Sequence, residues 1–162
     1  MDALVITGPT ASGKSELSFK LAELLNGEII SADSAQVYRG LDIGTAKPGR
    51  IIQDKLKHHL LDIRDPSEIY TVADFRNDTL RIISEIKGRG KVPIISGGTM
   101  LYLKALREGL ADLPAANPSV RESIELDAKK RGWAKLHSEL RTIDPISADR
   151  IKPNDSHRLQ RA

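Results

Sequence analysis

The chain has 162 residues, 40% hydrophobic and 29% charged, the composition of a globular domain rather than a disordered or fibrous chain. With no cysteine, disulfides and cysteine-ligated metals are excluded; there is no apolar run of bilayer length and no basic leader before the first apolar residues, so a cytoplasmic protein without membrane association is expected. The net charge is +3, and its placement is uneven: residues 1–120 carry 15 Lys/Arg against 15 Asp/Glu, while residues 121–162 carry 10 against 7. That bias fits either a solvated helical surface or a polyanionic partner.

Leu4-Val5-Ile6-Thr7 reads as a short buried strand. Gly8-Pro9-Thr10-Ala11-Ser12-Gly13-Lys14-Ser15 follows it and fits G-x-x-x-x-G-K-S/T, the P-loop. Leu17, Leu21 and Leu24 then recur at helical spacing. The motif thus has the strand–loop–helix setting in which backbone N–H groups, the helix N-terminus and Lys14 converge on an anion. Ser15 would offer its hydroxyl to Mg²⁺. A second strand is predicted over 28–32 and a third, shorter one over 59–63. Thr71-Val72-Ala73-Asp74 reads as a capping box, opening a helix whose apolar face carries Phe75, Thr79, Ile83 and Ile86. A further strand is predicted over 91–96. Gly97-Gly98-Thr99 then turns into a helix with Leu101, Leu103 and Leu106.

Past Gly109 the pattern changes. Residues 113–118 read as a loop, with Asn117 as N-cap and Pro118 as first residue of a helix that Gly132 ends. Val120, Ile124 and Ala128 share a side of that helix, and Trp133, Leu136 and Leu140 mark the next. Asp144-Pro145 opens a third helix and Pro153-Asn154-Asp155 caps a fourth. The expected architecture is therefore an α/β core over residues 1–112, a parallel sheet flanked by helices, followed by an all-helical segment over 113–162.

Ligands of open parallel sheets sit beyond the carboxyl ends of the strands. The P-loop, Asp33-Ser34-Ala35-Gln36 and Gly97-Gly98-Thr99 all occupy such positions and are expected to share one cleft. Asp33 could be a general base, a Mg²⁺ partner through water, or a helix cap. Thr10 could face the reacting atoms or bond the loop backbone, and Thr99 is similarly ambiguous at a helix start. His58 and His59 point different ways and read as structural or surface. Asp62 and Asp65 read as turn residues. Residues 40–48 look like a shaped loop of no derivable role. Arg158 and Arg161 share a helix face beside His157, which suits RNA phosphate or base contacts as well as it suits plain solvation.

Taken together, Gly8 to Ser15, Asp33-Ser34-Ala35-Gln36-Val37-Tyr38, Gly40 to Pro48, His59-Leu60-Leu61-Asp62, Gly97-Gly98-Thr99-Met100-Leu101-Tyr102 and Pro153-Asn154-Asp155 with Arg158 and Arg161-Ala162 resemble the bacterial tRNA dimethylallyltransferases, or tRNA isopentenyltransferases. The resemblance implies a P-loop NTPase-like core and a helical insertion that begins near residue 113. It implies transfer of a dimethylallyl group from dimethylallyl diphosphate to the exocyclic amine of the adenosine 3′ of the anticodon. Gly8, Pro9, Thr10, Ala11, Ser12, Gly13, Lys14 and Ser15 would hold the diphosphate, with Mg²⁺ on Ser15. Asp33 matches the base and Thr10 a residue near the reacting centre. Asp33, Ser34, Ala35, Gln36, Thr99, Arg121, His157, Arg158, Leu159, Gln160 and Arg161 would contact the tRNA anticodon stem-loop. Ser15 stands where the family commonly has Thr, and His157 where it often has Gln. The family's chains are longer, continuing the insertion and returning to the core for another strand. The 162 residues alone are thus expected to hold an incomplete sheet and insertion and to be weakly active or inactive, as a monomer. Alternatives are a small-molecule P-loop kinase, a prenyltransferase acting on free adenine nucleotides, and a non-catalytic RNA- or nucleotide-binding remnant.

Overall fold

The computed structural model describes residues 3–110 and 117–162. The chain divides into two compact units, Met1–Ala111 and Asp112–Ala162. Of the loop predicted over 113–118, residues 113–116 lie outside the described residues.

The first unit is built on four parallel strands, β1 (Leu4–Thr7), β2 (Gly27–Ser31), β3 (His58–His59) and β4 (Val92–Gly97), in the order β1-β4-β2-β3. The helices between them are α1 (Lys14–Leu24), α2 (Arg50–Lys55) and α3 (Val72–Gly88), and α4 (Met100–Glu108) follows β4. Successive strand residues point to opposite faces, and both faces are covered. Ile30, Ala32 and Ile95 pack with Phe75, Ile82, Ile83 and Ile86 of α3 and with Tyr102 and Leu106 of α4. Ile6, Ile29 and Ile94 pack on the other face with Leu21 and Ala22 of α1. The Tyr102 ring stacks on Phe75, centroids 4.2 Å apart. The expected capping box starts α3: Asp74 N donates to Thr71 Oγ1 at 3.1 Å and Thr71 N to Asp74 Oδ2 at 2.8 Å.

Several elements differ from the sequence reading. β1 stands at a sheet edge, so Leu4 and Val5 are 37% and 44% exposed and Ile6 alone of its residues is buried. On α1 the buried residues are Ser18 and Ala22, while Leu17 and Leu24 face out. Small residues let α1 approach the sheet, and Ser18 is hydrogen-bonded to Ser96 of β4, Oγ to Oγ, at 2.7 Å. The third strand stops at His59 because Leu60 and Asp62 adopt left-handed backbone, with φ of 62° and 54°. α2 has no counterpart in the reading. On α4 the buried residues are Tyr102, Ala105 and Leu106, and Leu101 is exposed.

Gly97 marks where the sheet closes most tightly. A Cβ there would lie 2.2 Å from the Ala32 carbonyl oxygen and 2.4 Å from its carbon. Backbone cannot swing aside as a side chain can, so Gly97→Ala is expected to cost roughly 3 kcal/mol, the upper end for overpacking. The urea unfolding midpoint measures this; an unchanged midpoint would mean that β2 and β4 part freely.

The second unit holds α5 (Pro118–Arg131), α6 (Trp133–Ile143), α7 (Pro145–Arg150) and α8 (Ser156–Leu159). Their caps are as read: Asn117 accepts from Ser119 N and Val120 N, Asp144 from Ser147 N, and Asp155 from Arg158 N. Ala128, His137, Ala148 and Leu159 are buried. His137 Nε2 lies 3.0 Å from the Ala148 carbonyl and 2.9 Å from that of Ile151, so its N–H ties α6 to the end of α7. Among the described residues no helix is long and apolar enough to cross a membrane.

Candidate active site

β4 lies between β1 and β2, so the loops after β1 and β2 flank the Gly97-Gly98 turn. A cavity of about 940 Å³ opens there. Its rim carries Thr10, Ala11, Ser12, Gly13, Lys14 and Ser15 from the first loop, Asp33, Ala35 and Gln36 from the second, and Gly97 and Gly98 from the third. Gly8 and Pro9 form the base of the first loop, where a Cβ on Gly8 would meet Ser12 Oγ at 3.0 Å. Ser34 and Thr99 are not part of the cavity lining and join two of the loops: Ser34 N donates to Thr99 Oγ1 at 3.1 Å, and Thr99 N donates to the Ala32 carbonyl at 3.2 Å.

The first loop is shaped for an anion. Gly13 takes φ of 81° at the N-cap of α1 and supplies no side-chain cap, so the first amides of the helix remain available. Lys14 Nζ rests on the Pro9 carbonyl within the loop. Ser15 is exposed at the cavity. No group of three or more His, Cys, Asp or Glu that could hold a metal occurs among the described residues. A hard cation here would combine the Ser15 hydroxyl with phosphate oxygens and water, a donor set that suits Mg²⁺.

Asp33 acts first as a cap of its own turn. Its Oδ1 accepts from Ala35 N at 2.8 Å and Gln36 N at 3.3 Å, which fixes the carboxylate at the cavity wall. Gln36 is held at both ends of its amide. Ser31 Oγ donates to Oε1 at 2.8 Å, and Nε2 donates to the Thr45 carbonyl at 3.0 Å.

Residues 44–49 form a wall of the same cavity, which gives the loop over 40–48 the role that composition had not supplied. Ile51, Ile52 and Lys55 of α2, Phe19, Ile29 and His58 line it too. His58 thus lies at the site rather than at an indifferent surface. Its Nδ1–H donates to the Leu56 carbonyl at 2.7 Å, and burial pushes the ring below its ordinary value, so Nε2 is left as an acceptor. A lone histidine beside another offers no sequence signal for this. Asp62 and Asp65 are turn residues as read: Asp62 is left-handed, and Asp65 Oδ1 accepts from Ser67 N at 3.0 Å.

In the helical unit, Arg121 is exposed on α5. Arg131 is engaged by Asp127 and Glu139, and Arg141 by Asp149. Arg158 pairs with Asp155 at 3.5 Å and stays 71% exposed. Gln160 Nε2 donates to Glu125 at 3.1 Å. Leu159 is buried in this unit, which leaves its backbone alone for any RNA contact.

A parallel α/β core with a phosphate-shaped loop and a carboxylate on one cavity defines a P-loop NTPase-like protein. Residues 36–162 match the family model described as IPP transferase, and the chain belongs to that family. A tRNA dimethylallyltransferase from Bordetella avium (strain 197N) is 56% identical over 159 residues, 98% of this chain and 51% of that protein. The full-length tRNA isopentenylpyrophosphate transferase of Bacillus halodurans superposes with a TM-score of 0.67 at 44% identity, covering 99% of this chain and 53% of that one. A eukaryotic dimethylallyltransferase acting on tRNA superposes with a TM-score of 0.79 at 33% identity, covering 99% and 40%. The chain spans about half the length of the two bacterial relatives and 40% of the eukaryotic one.

Proposed function

We propose that the whole gene product transfers a dimethylallyl group from dimethylallyl diphosphate to the exocyclic amine of the adenosine 3′ of the anticodon in tRNA. The observation that carries this reading is the placement of the phosphate loop and Asp33 on one cavity in a chain of the IPP transferase family. Departure of a diphosphate builds charge on the α-phosphate oxygen that was bonded to the allylic carbon. Loop N–H groups and Lys14 stabilise that charge where it develops. Mg²⁺ on Ser15 would supply further neutralisation of the diphosphate. The allylic carbon–oxygen bond breaks as the nitrogen–carbon bond forms, and the amine's proton passes to the Asp33 carboxylate. The adenosine must leave its stack to reach such a cavity. Thr10 lies on the rim of the cavity, which supports a contact with the reacting centre. Asp33, Ser34, Ala35, Gln36 and Thr99 in the core, and Arg121 with the run His157 to Arg161 in the helical unit, are our candidates for tRNA contact.

The test is transfer of labelled dimethylallyl diphosphate by the whole gene product to unmodified tRNA and to free AMP in parallel. Label in tRNA that depends on the adenosine beside the anticodon supports the proposal. Label in AMP alone, or ATP turnover without transfer, replaces it with a cytokinin-type enzyme or a kinase. In the helical unit, Arg158→Ala with Arg161→Ala is expected to weaken tRNA binding and to reduce its salt slope by roughly 1 to 2. Binding titrations at several salt concentrations decide this; an unchanged slope makes both arginines ordinary surface charge.

A further inference from the structure

Lys47 invites assignment as a second phosphate-binding cation, since it belongs to the cavity wall that faces the P-loop. Its geometry argues otherwise. The side chain is 3% exposed. Its ammonium has three N–H groups, and three acceptors surround it: the Tyr38 carbonyl at 2.9 Å, Asp42 Oδ1 at 2.8 Å and Asp62 Oδ1 at 2.6 Å. Burial opposes its charge, but the two carboxylates outweigh burial and hold the ammonium protonated. Nothing is left to offer a diphosphate.

The acceptors identify what Lys47 does hold. Asp42 lies on the loop that leads to the cavity wall, and Asp62 lies in the turn after β3. That wall contains two left-handed residues, Gly44 and Ala46, with φ of 80° and 52°, and Asp62 is left-handed too. Backbone of this kind persists where its surroundings determine it. Asp62 N donates to the Gln36 carbonyl at 3.2 Å. The Gln36 side chain in turn joins Thr45 of the wall to Ser31 of β2, and Gln36 N donates to Asp33 Oδ1. Lys47 therefore stands at the outer end of a chain of hydrogen bonds whose inner end is Asp33.

We propose that Lys47 is a positioning residue, which fixes the 44–49 wall and, through Gln36, the orientation of the Asp33 carboxylate, without touching phosphate. This rests on the reading of Asp33 as the base.

The test is Lys47→Met in the whole gene product, with Lys14→Met as the control. Inorganic pyrophosphate binding is measured by calorimetry, and kcat by dimethylallyl transfer to tRNA. The expected result is a pyrophosphate Kd within threefold of the parent protein and a kcat at least tenfold lower. A Kd weakened tenfold or more, as expected for Lys14→Met, would make Lys47 a phosphate ligand. An unchanged kcat would remove its positioning role. Lys47→Met leaves two carboxylates without their cation and could fail to fold, so Asp42→Asn, at a carboxylate 67% exposed, is the second variant. It is expected to lower kcat about threefold and leave pyrophosphate binding unchanged. Tighter pyrophosphate binding, from a released ammonium, or an unaltered kcat overturns the proposal. A parent protein that transfers nothing overturns the underlying reading of function, whereas an active parent with unaffected variants overturns the role of Lys47 alone.

Discussion

Asp33→Asn in the whole gene product is expected to lower dimethylallyl transfer by roughly 10²–10⁴-fold, the contribution of a positioned general base. Asparagine is the informative replacement. Asp33 Oδ1 caps its own turn through Ala35 N and Gln36 N, and an asparagine oxygen can accept the same bonds. The substitution therefore removes the proton acceptor and keeps the loop. Alanine would remove both, at a further stability cost of about 1 kcal/mol for the lost cap. Pyrophosphate affinity is expected to stay within threefold for Asp33→Asn, because the phosphate site lies on the other side of the Gly97-Gly98 turn. A near-normal transfer rate would reduce Asp33 to a turn residue. A collapse of pyrophosphate binding would place its charge beside the metal or phosphate instead.

The parts of this site that were legible in the sequence are local or follow from strand alternation. The P-loop is contiguous, and the motif itself encodes both its backbone geometry and the side chains of Lys14 and Ser15. The convergence of three loops follows from parallel topology, which fixes where strand ends meet. What was illegible depends on partners distant in the chain. Lys47 reaches Asp62 fifteen residues away, and no periodicity marks that pair. The face of α1 is only partly legible because Leu17, Leu21 and Leu24 satisfy a helical repeat, whereas close approach to the sheet buries Ser18 and Ala22 with Leu21 packed beside them and leaves Leu17 and Leu24 outside. Apolar periodicity reports which face could be buried; packing distance decides which one is. The third strand was overextended for a related reason. Leu60, Leu61 and Ile63 have strand-like composition, and positive φ at Leu60 and Asp62 is set by the turn they make against residues 36 and 37. β1 has the apolar character of a buried strand, yet its position at the sheet edge leaves Leu4 and Val5 exposed.

Glu28 carries the largest effect expected away from the cavity. It sits within β2, its side chain 2% exposed, where a sequence reading sees a polar residue in an apolar strand. Burial by itself would raise its carboxyl. Hydrogen bonds from Arg89, His59 and Lys91 outweigh burial and hold it at about 2, against an ordinary 4.5. Arg89 reaches Oε2 at 2.7 Å, His59 Nε2 lies 2.7 Å from the same oxygen, and Lys91 reaches Oε1 at 3.2 Å. Because the folded value lies below the unfolded one, folding favours the charged form. The stabilisation is complete above about pH 4.5 and is lost as the pH falls from there towards 2. A shift of this size corresponds to roughly 3 kcal/mol. Glu28→Gln is therefore expected to destabilise the protein by about 3 kcal/mol at neutral pH, the lower end for breaking a buried pair. The lower end applies because Arg89 and Lys91 are 40% and 36% exposed and can turn to water once the carboxylate is gone. Urea unfolding between pH 7 and pH 2.5 separates this from simple loss of packing. The parent and the variant should converge as the pH falls below 4.5, since the parent then loses what the variant never had. Curves that stay parallel to pH 2.5 would mean that the cluster is worth only its shape. Convergence would show that one buried carboxylate, answered by His59 of β3 and by the cations Arg89 and Lys91 of the segment joining α3 to β4, holds the end of the sheet opposite the active site.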